Sequence, residues 1–244
     1  MTRPPLARSP EWIGHRGAPR EFPENTLPSF ERAVERGADA VELDVHATSD
    51  GVVIVHHDPV LSTAASAKNR GLVIDETPWA TLRTAEIGSA TLIPTLAQVL
   101  DLLAGRARVY VEIKGRAIEE AVVDVIRRSR AECAIHSFDH DTVQRVSRIA
   151  PEIPRGILFD RHPDDVVAAM RLAAARDVWP DKSVIDVDLV RHVHDAGGRV
   201  VAWTVNDVSD ASRLVAMGVD GICGDDLRSF DVKNARADRA SRGW

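Results

Sequence analysis

Residues 108–114 read Arg108-Val109-Tyr110-Val111-Glu112-Ile113-Lys114, and residues 133–138 read Cys133-Ala134-Ile135-His136-Ser137-Phe138. In the first run Val109, Val111 and Ile113 fall on one face, and Glu112 and Lys114 on the other. That period of two belongs to a strand. The second run is short, apolar and extended in the same way. Between them, Ile118 to Arg128 carries a helical stripe. Two strands separated by a helix pair in parallel, because the crossover returns the chain to the same end of the sheet.

The same unit repeats towards the C-terminus. Helical stretches Asp141–Ile149, Pro163–Ala174, Val187–Ala196 and Ser209–Met217 precede the apolar runs Arg155–Phe159, Asp177–Pro180, Arg199–Thr204 and Val219–Cys223. Towards the N-terminus, Glu11 to His15 reads as a first strand. A helix capped by Asn25 or Thr26 follows, with Leu27, Phe30, Ala33 and Val34 as its stripe and Gly37 as its stop. Ala40-Val41-Glu42-Leu43-Asp44-Val45 is the next strand. Ser49-Asp50-Gly51 turns it back into Val52-Val53-Ile54-Val55-His56-His57. A helix opening at Thr95 and running to Leu103 leads into the 108–114 strand. Eight strand candidates alternating with helices predict a closed (β/α)8 TIM barrel. We expect a single domain over 1–244, with a short insertion after the second strand at 59–93 and a solvated tail at 230–244.

Composition narrows the function classes. The 244 residues are 44% hydrophobic, enough for a sizeable core, and the formal charge is −6. An acidic balance speaks against nucleic acid as a partner, for which a basic stripe is expected. Cys133 and Cys223 are far apart in apolar runs and read as buried thiols. Residues 1–10 have no apolar core of a signal peptide, and no run is long enough to cross a membrane, so a cytoplasmic location without stable membrane insertion is expected. Oligomeric state is not encoded in any of these features.

The polar residues of the first 58 positions are unusually concentrated. Glu42 and Asp44 share one strand face, opposite Val41, Leu43 and Val45. Two carboxylates one pleat apart repel unless a cation lies between them, and oxygen donors suit a hard ion such as Mg2+ or Ca2+. Alone, the pair would equally suit a hydrated face. His15, Arg16 and the His56-His57 pair change the weighting, although parity does not choose between His56 and His57. Gly14 and Gly17 permit close backbone approach to a ligand.

These motifs resemble the glycerophosphodiester phosphodiesterases. His15-Arg16-Gly17, Pro23-Glu24-Asn25-Thr26, Glu42/Asp44 and His57-Asp58 match the family's H-R-G, P-E-N-T, E-x-D and H-D in order, and Glu112/Lys114 match its E-x-K. The resemblance implies a general acid–base pair of His15 and His57. It implies one divalent cation, Mg2+ or Ca2+, on Glu42, Asp44 and Glu112. It implies substrate contacts from Arg16 and Lys114, and Phe138 and Trp203 read as pocket walls. Two departures stand out. Leu61-Ser62-Thr63-Ala64 lacks the arginine the family carries there, and Gly224 replaces the threonine before the final aspartate.

The implied reaction is hydrolysis of a small-molecule glycerophosphodiester to glycerol 3-phosphate and an alcohol. The neighbouring glycerol hydroxyl would attack first, giving a cyclic phosphate that water then opens. Lysophospholipase D activity on the same scaffold is the nearest alternative. A barrel that binds phosphodiesters without turnover is a third, disfavoured because both histidines and all three carboxylates are present.

Overall fold

The computed structural model describes residues 9–61, 69–88 and 91–229. The expected tail and the Ser62-Thr63-Ala64 segment lie outside these residues.

Nine strands form one sheet: β1 (Glu11–His15), β2 (Ala40–Ala47), β3 (Val53–Val55), β4 (Arg108–Ile113), β5 (Cys133–Ser137), β6 (Arg155–Phe159), β7 (Asp177–Pro180), β8 (Arg199–Ala202) and β9 (Gly221–Gly224). Eight of them pair in parallel and close into a barrel, because β1 bonds to both β2 and β9. The ninth, β3, is the antiparallel return of the expected hairpin, with Val45 opposite Val55. The architecture is a (β/α)8 barrel.

Among the described residues the α-helices are α1 (Leu27–Glu35), α2 (Trp79–Leu82), α3 (Leu96–Leu103), α4 (Glu119–Arg128), α5 (His140–Ile149), α6 (Val166–Leu172), α7 (Val187–Asp195) and α8 (Val208–Met217). Most begin at a side chain that accepts a free backbone N–H of the first turn: Thr26 for α1, Thr95 for α3, then Asp139, Asp165, Asp186 and Asp207. Such caps set where each loop at the barrel mouth ends and its helix starts. For α3, Thr95 and Gln98 form a reciprocal capping box.

Strand parity sorts the side chains into two cores. Outward residues such as Val41, Leu43, Val109 and Val111 pack beneath the helices, with Leu96, Val99, Leu100 and Leu103 of α3 among their neighbours. Inward residues form a second core, Ile13, Ala40, Tyr110, Ala134, Leu158, Trp179, Val201 and Cys223, one from each barrel strand. The barrel interior is therefore filled, not a channel. Stepping two residues from this layer towards the strand C-termini reaches His15, Glu42, Glu112, His136 and Asp225. Stepping two residues the other way reaches Glu11, Arg108, Asp177 and Arg199.

Gly14 and Gly17 serve the fold, not a ligand. A Cβ on Gly14 would lie 2.5 Å from the Gly17 carbonyl oxygen, and one on Gly17, whose φ is +93°, would strike Ser29 of α1. Close approach here is helix to strand. Beyond β3, Ile54, Leu61, Ile74, Leu82 and Ile93 make a small core of their own beside the barrel mouth. Both cysteines are buried and free.

Candidate active site

Backbone register assembles the site. His15 is paired with Glu42 across β1–β2, Asp44 with Glu112 across β2–β4, and Glu112 with His136 across β4–β5. His15, Glu112 and His136 lie near the C-terminal ends of their strands, where barrel sites form, and Glu42 and Asp44 face them from the longer β2. A cavity of about 250 Å3 opens there, lined by eight of the residues expected from sequence: His15, Arg16, Glu42, His57, Glu112, Lys114, Phe138 and Trp203.

Asp44, the ninth, lies behind that lining with only 1% of its surface exposed. Its Oδ2 accepts a hydrogen bond from Asn25 Nδ2 at 2.8 Å and lies 3.2 Å from Arg16 Nε, while Lys114 Nζ stands 3.5 Å from Oδ1. Burial pushes this carboxyl up, but Arg16, Lys114 and the Asn25 bond more than offset it and hold it below its usual range. Asn25 thus has a polar task beside the helix start, and Thr26 makes the cap.

Each of the expected acid–base histidines has a carboxylate on Nδ1. His15 Nδ1 is 2.6 Å from Asp225 Oδ1, and His57 Nδ1 is 2.7 Å from Asp58 Oδ1. Such a partner fixes the tautomer and leaves Nε2 to face the substrate space. His15 Nε2 stands 3.9 Å from Glu42 Oε2. Burial would depress the His15 pKa, yet the Asp225 bond and the Glu42 charge leave it raised. His57 is placed by the hairpin, since His46 Nε2 lies 3.0 Å from the His57 carbonyl oxygen. Its neighbour His56 turns into the protein and is buried.

Asp225 is the residue that sequence reading passed over. It follows Gly224, where the family's threonine is missing, and its second oxygen accepts from Asn206 Nδ2 at 2.7 Å. One signal was available: it shares inward parity with Cys223. Gly224 itself sits against backbone, with a Cβ there only 2.2 Å from the Val205 carbonyl oxygen, so a threonine could not stand in this arrangement.

Each cationic side chain has a carboxylate partner. Lys114 Nζ is 2.8 Å from Glu112 Oε1, and Arg16 Nη1 is 2.9 Å from Glu24 Oε1. The Arg16 backbone N–H, in a left-handed turn with φ of 54°, donates to Glu42 Oε2 at 3.1 Å. Burial first, then the nearby Asp44 charge, pushes Glu112 up to about 7. Phe138 and Trp203 meet edge to face at 5.4 Å on the rim, and Phe138 is 41% exposed.

Among the described residues, Glu42, Glu112 and His136 form a group whose ligand atoms all lie within 4.8 Å of one another. Neither ring nitrogen of the buried His136 has a hydrogen-bond partner. Crowded carboxylates beside an unpaired imidazole fit a divalent cation. Asp44, expected from sequence as a ligand, is not in this group, but its buried Oδ1 also has no hydrogen-bond partner.

Carboxylates, carboxylate-backed histidines, Arg16 and Lys114 at the mouth of a (β/α)8 barrel make a site equipped for acid–base chemistry. The model of the glycerophosphoryl diester phosphodiesterase family matches residues 15–229. The chain belongs to that family and is a phosphoric diester hydrolase. It is 31% identical over 229 residues to the glycerophosphodiester phosphodiesterase of Caldanaerobacter subterraneus subsp. tengcongensis, covering 88% of this chain and 93% of that one. Its fold matches an Oleispira antarctica phosphodiesterase solved with the product sn-glycerol-3-phosphate, at TM-score 0.85 and 27% identity, covering 93% and 97% of the two chains. It also matches the Thermotoga maritima glycerophosphodiester phosphodiesterase, at TM-score 0.78 and 25% identity over 92% and 98%. No helix among the described residues is long and apolar enough to cross a membrane.

Proposed function

We propose that this enzyme cleaves glycerophosphodiesters to glycerol 3-phosphate and an alcohol, with His15 and His57 exchanging the protons. The observation that carries the reading is the convergence of His15, Glu42, His57, Glu112 and Lys114 on one cavity. The substrate's phosphate enters beside Lys114 and Arg16, whose charges offset its own. One imidazole accepts the proton of the attacking hydroxyl through Nε2. The other donates a proton to the departing alkoxide, so the P–O bond breaks to a neutral alcohol. Water opens the cyclic phosphate by the reverse exchange, its hydroxyl ending on phosphorus. Asp225 and Asp58 hold the two rings in the orientation and tautomer each transfer requires.

A divalent cation bound at Glu42 and Glu112 would polarise the phosphoryl oxygens and lessen repulsion between substrate and carboxylates. Asp44, whose buried Oδ1 has no hydrogen-bond partner, would be the third carboxylate donor to that cation.

The test is glycerol 3-phosphate release from glycerophosphocholine with added Mg2+, Ca2+ or Mn2+, comparing the parent with His15→Ala and His57→Ala. The expected result is metal-dependent release lowered at least about 10²-fold by either substitution. Release that survives both substitutions would overturn the acid–base assignment. A folded protein inactive on glycerophosphocholine but active on lysophosphatidylcholine would move the reading to lysophospholipase D.

A further inference from the structure

We propose that the alcohol end of the substrate lies in a groove beside the catalytic cavity, where Arg116 recognises an anionic group on the departing alcohol. The enzyme then prefers glycerophosphodiesters whose alcohol carries a carboxylate or a second phosphate over those whose alcohol is purely cationic. This deepens the reading of the barrel mouth as a glycerophosphodiesterase site and rests on it.

The groove adjoins the chemistry. A second hollow, of about 630 Å3, shares Glu112, Lys114 and Phe138 with the cavity that holds His15 and His57, and continues outward to Arg116, Asp139 and Arg145. The glycerol hydroxyl that attacks must meet a histidine, and both histidines line the first cavity and neither lines the second. The other substituent on phosphorus is the one free to extend past Lys114. It is also the part that differs from one diester to the next, so its surroundings set preference.

The charges of the groove do not cancel. Lys114 Nζ is 2.8 Å from Glu112 Oε1, Arg145 Nε is 2.7 Å from Glu119 Oε1, and Arg145 Nη2 is 3.5 Å from Asp139 Oδ2. Asp139 is further occupied as the cap of α5, accepting from the Asp141 and Thr142 backbone and the Thr142 hydroxyl. Arg116 is exposed, and among the described residues it has no ion-pair partner. Its loop is braced from below. The Lys114 and Gly115 N–H groups both donate to the Val45 carbonyl oxygen, at 3.1 and 3.2 Å, and a Cβ on Gly115 would stand 2.8 Å from Ile118 Cδ1. A loop fixed before substrate arrives lowers the ordering cost of recognition.

The aromatic wall points the same way. Lys114 Nζ lies over the Phe138 ring, 5.5 Å from its centroid. That face already holds a cation, so a quaternary ammonium finds a lysine there in place of an open ring. A carboxylate finds Arg116, whose planar guanidinium matches it with two hydrogen bonds.

The experiment compares glycerophosphoserine with glycerophosphoethanolamine, whose alcohols differ by one carboxylate. Glycerol 3-phosphate release gives kcat/KM for each diester on the full-length protein with saturating divalent cation, for the parent, Arg116→Gln and Arg116→Glu. The parent is expected to favour the serine diester about fivefold, the size of a good exposed ion pair. That ratio should fall to about one in Arg116→Gln, drop below one in Arg116→Glu, and shrink in the parent as salt is raised. A parent that turns over both diesters equally, or a preference that both variants retain, would overturn the subsite and leave the phosphodiesterase reading intact. A parent that releases glycerol 3-phosphate from neither diester, nor from glycerophosphocholine, would overturn that reading and the proposal with it.

Discussion

Both ends of the barrel carry buried carboxylates, and they pair them differently. At the N-terminal end, Glu11 accepts from Arg108 Nη1 at 2.8 Å, Tyr110 Oη at 2.7 Å and Arg199 Nη2 at 2.8 Å. Asp177 receives both Nε and Nη2 of Arg176, at 2.7 and 2.6 Å. Burial would push the Glu11 carboxyl up, but these partners leave it lowered, and burial beside Glu11 raises the Tyr110 hydroxyl. That end is closed on itself. At the C-terminal end, Glu42, Glu112 and His136 crowd together, and neither the His136 ring nitrogens nor Asp44 Oδ1 has a hydrogen-bond partner. The inner strand faces are the same; the pairing differs. Fully paired charges rigidify a structure, whereas under-paired ones are kept for something that binds.

Breaking the paired end should cost stability and spare chemistry. Arg199→Ala removes one of three donors to Glu11 and a cation beside Asp177, for an expected loss of about 1.5–3 kcal/mol in urea unfolding. Turnover per folded molecule should stay within about twofold of the parent, since the network lies a full strand length from the mouth. A large fall in kcat without a change in stability would contradict the division between the two ends.

The mouth should respond in the opposite sense. Asp225→Asn is expected to lower kcat about 10²-fold and to change stability by less than about 1 kcal/mol. Because the Asp225 bond raises the His15 pKa, the limb of the pH–kcat/KM profile belonging to His15 should move to lower pH. A profile that stays in place would show that Asp225 does not tune this imidazole.

His56 sharpens the contrast from between the two ends. Burial lowers its pKa to about 4, below the 6.5 of an unfolded histidine. The unfolded chain therefore takes up the proton first, and stability present above pH 6.5 is lost as pH falls towards 4. Between about pH 7.5 and about pH 5 the expected loss is about 2 kcal/mol, read from urea midpoints, and His56→Gln should flatten that slope. An equal slope in the variant would assign the acid sensitivity elsewhere. The smallest effect belongs to the rim. Phe138→Ala should raise KM about threefold with kcat unchanged, the size of one lost aromatic contact.

Much of this was legible before any coordinates. Alternation in Val41–Val45 and Val109–Ile113 told which residues face inward, because a pleat sends neighbours to opposite sides whatever surrounds it. Thr26 and Thr95 could be read as helix starts for an equally local reason. Resemblance to a known family singled out His57 over His56, and the cavity lining includes it. The short motifs around Gly14 were harder. Their glycines suggested room for a ligand, but what approaches is α1, and only packing of the helix on the strand could show that.

Sequence by itself determined the strands, the caps of the first and third helices and the inward faces, since these follow from bonds and side chains within a few residues. Tertiary structure decided which inward residues meet. Register across β4–β5 set His136 beside Glu112, barrel closure through β1 and β9 brought Asp225 to His15, and four separate strand starts joined Glu11, Tyr110, Asp177 and Arg199 into one network. Those meetings depend on hydrogen bonds between distant strands and on helices packed over all of them, so no local pattern could announce them.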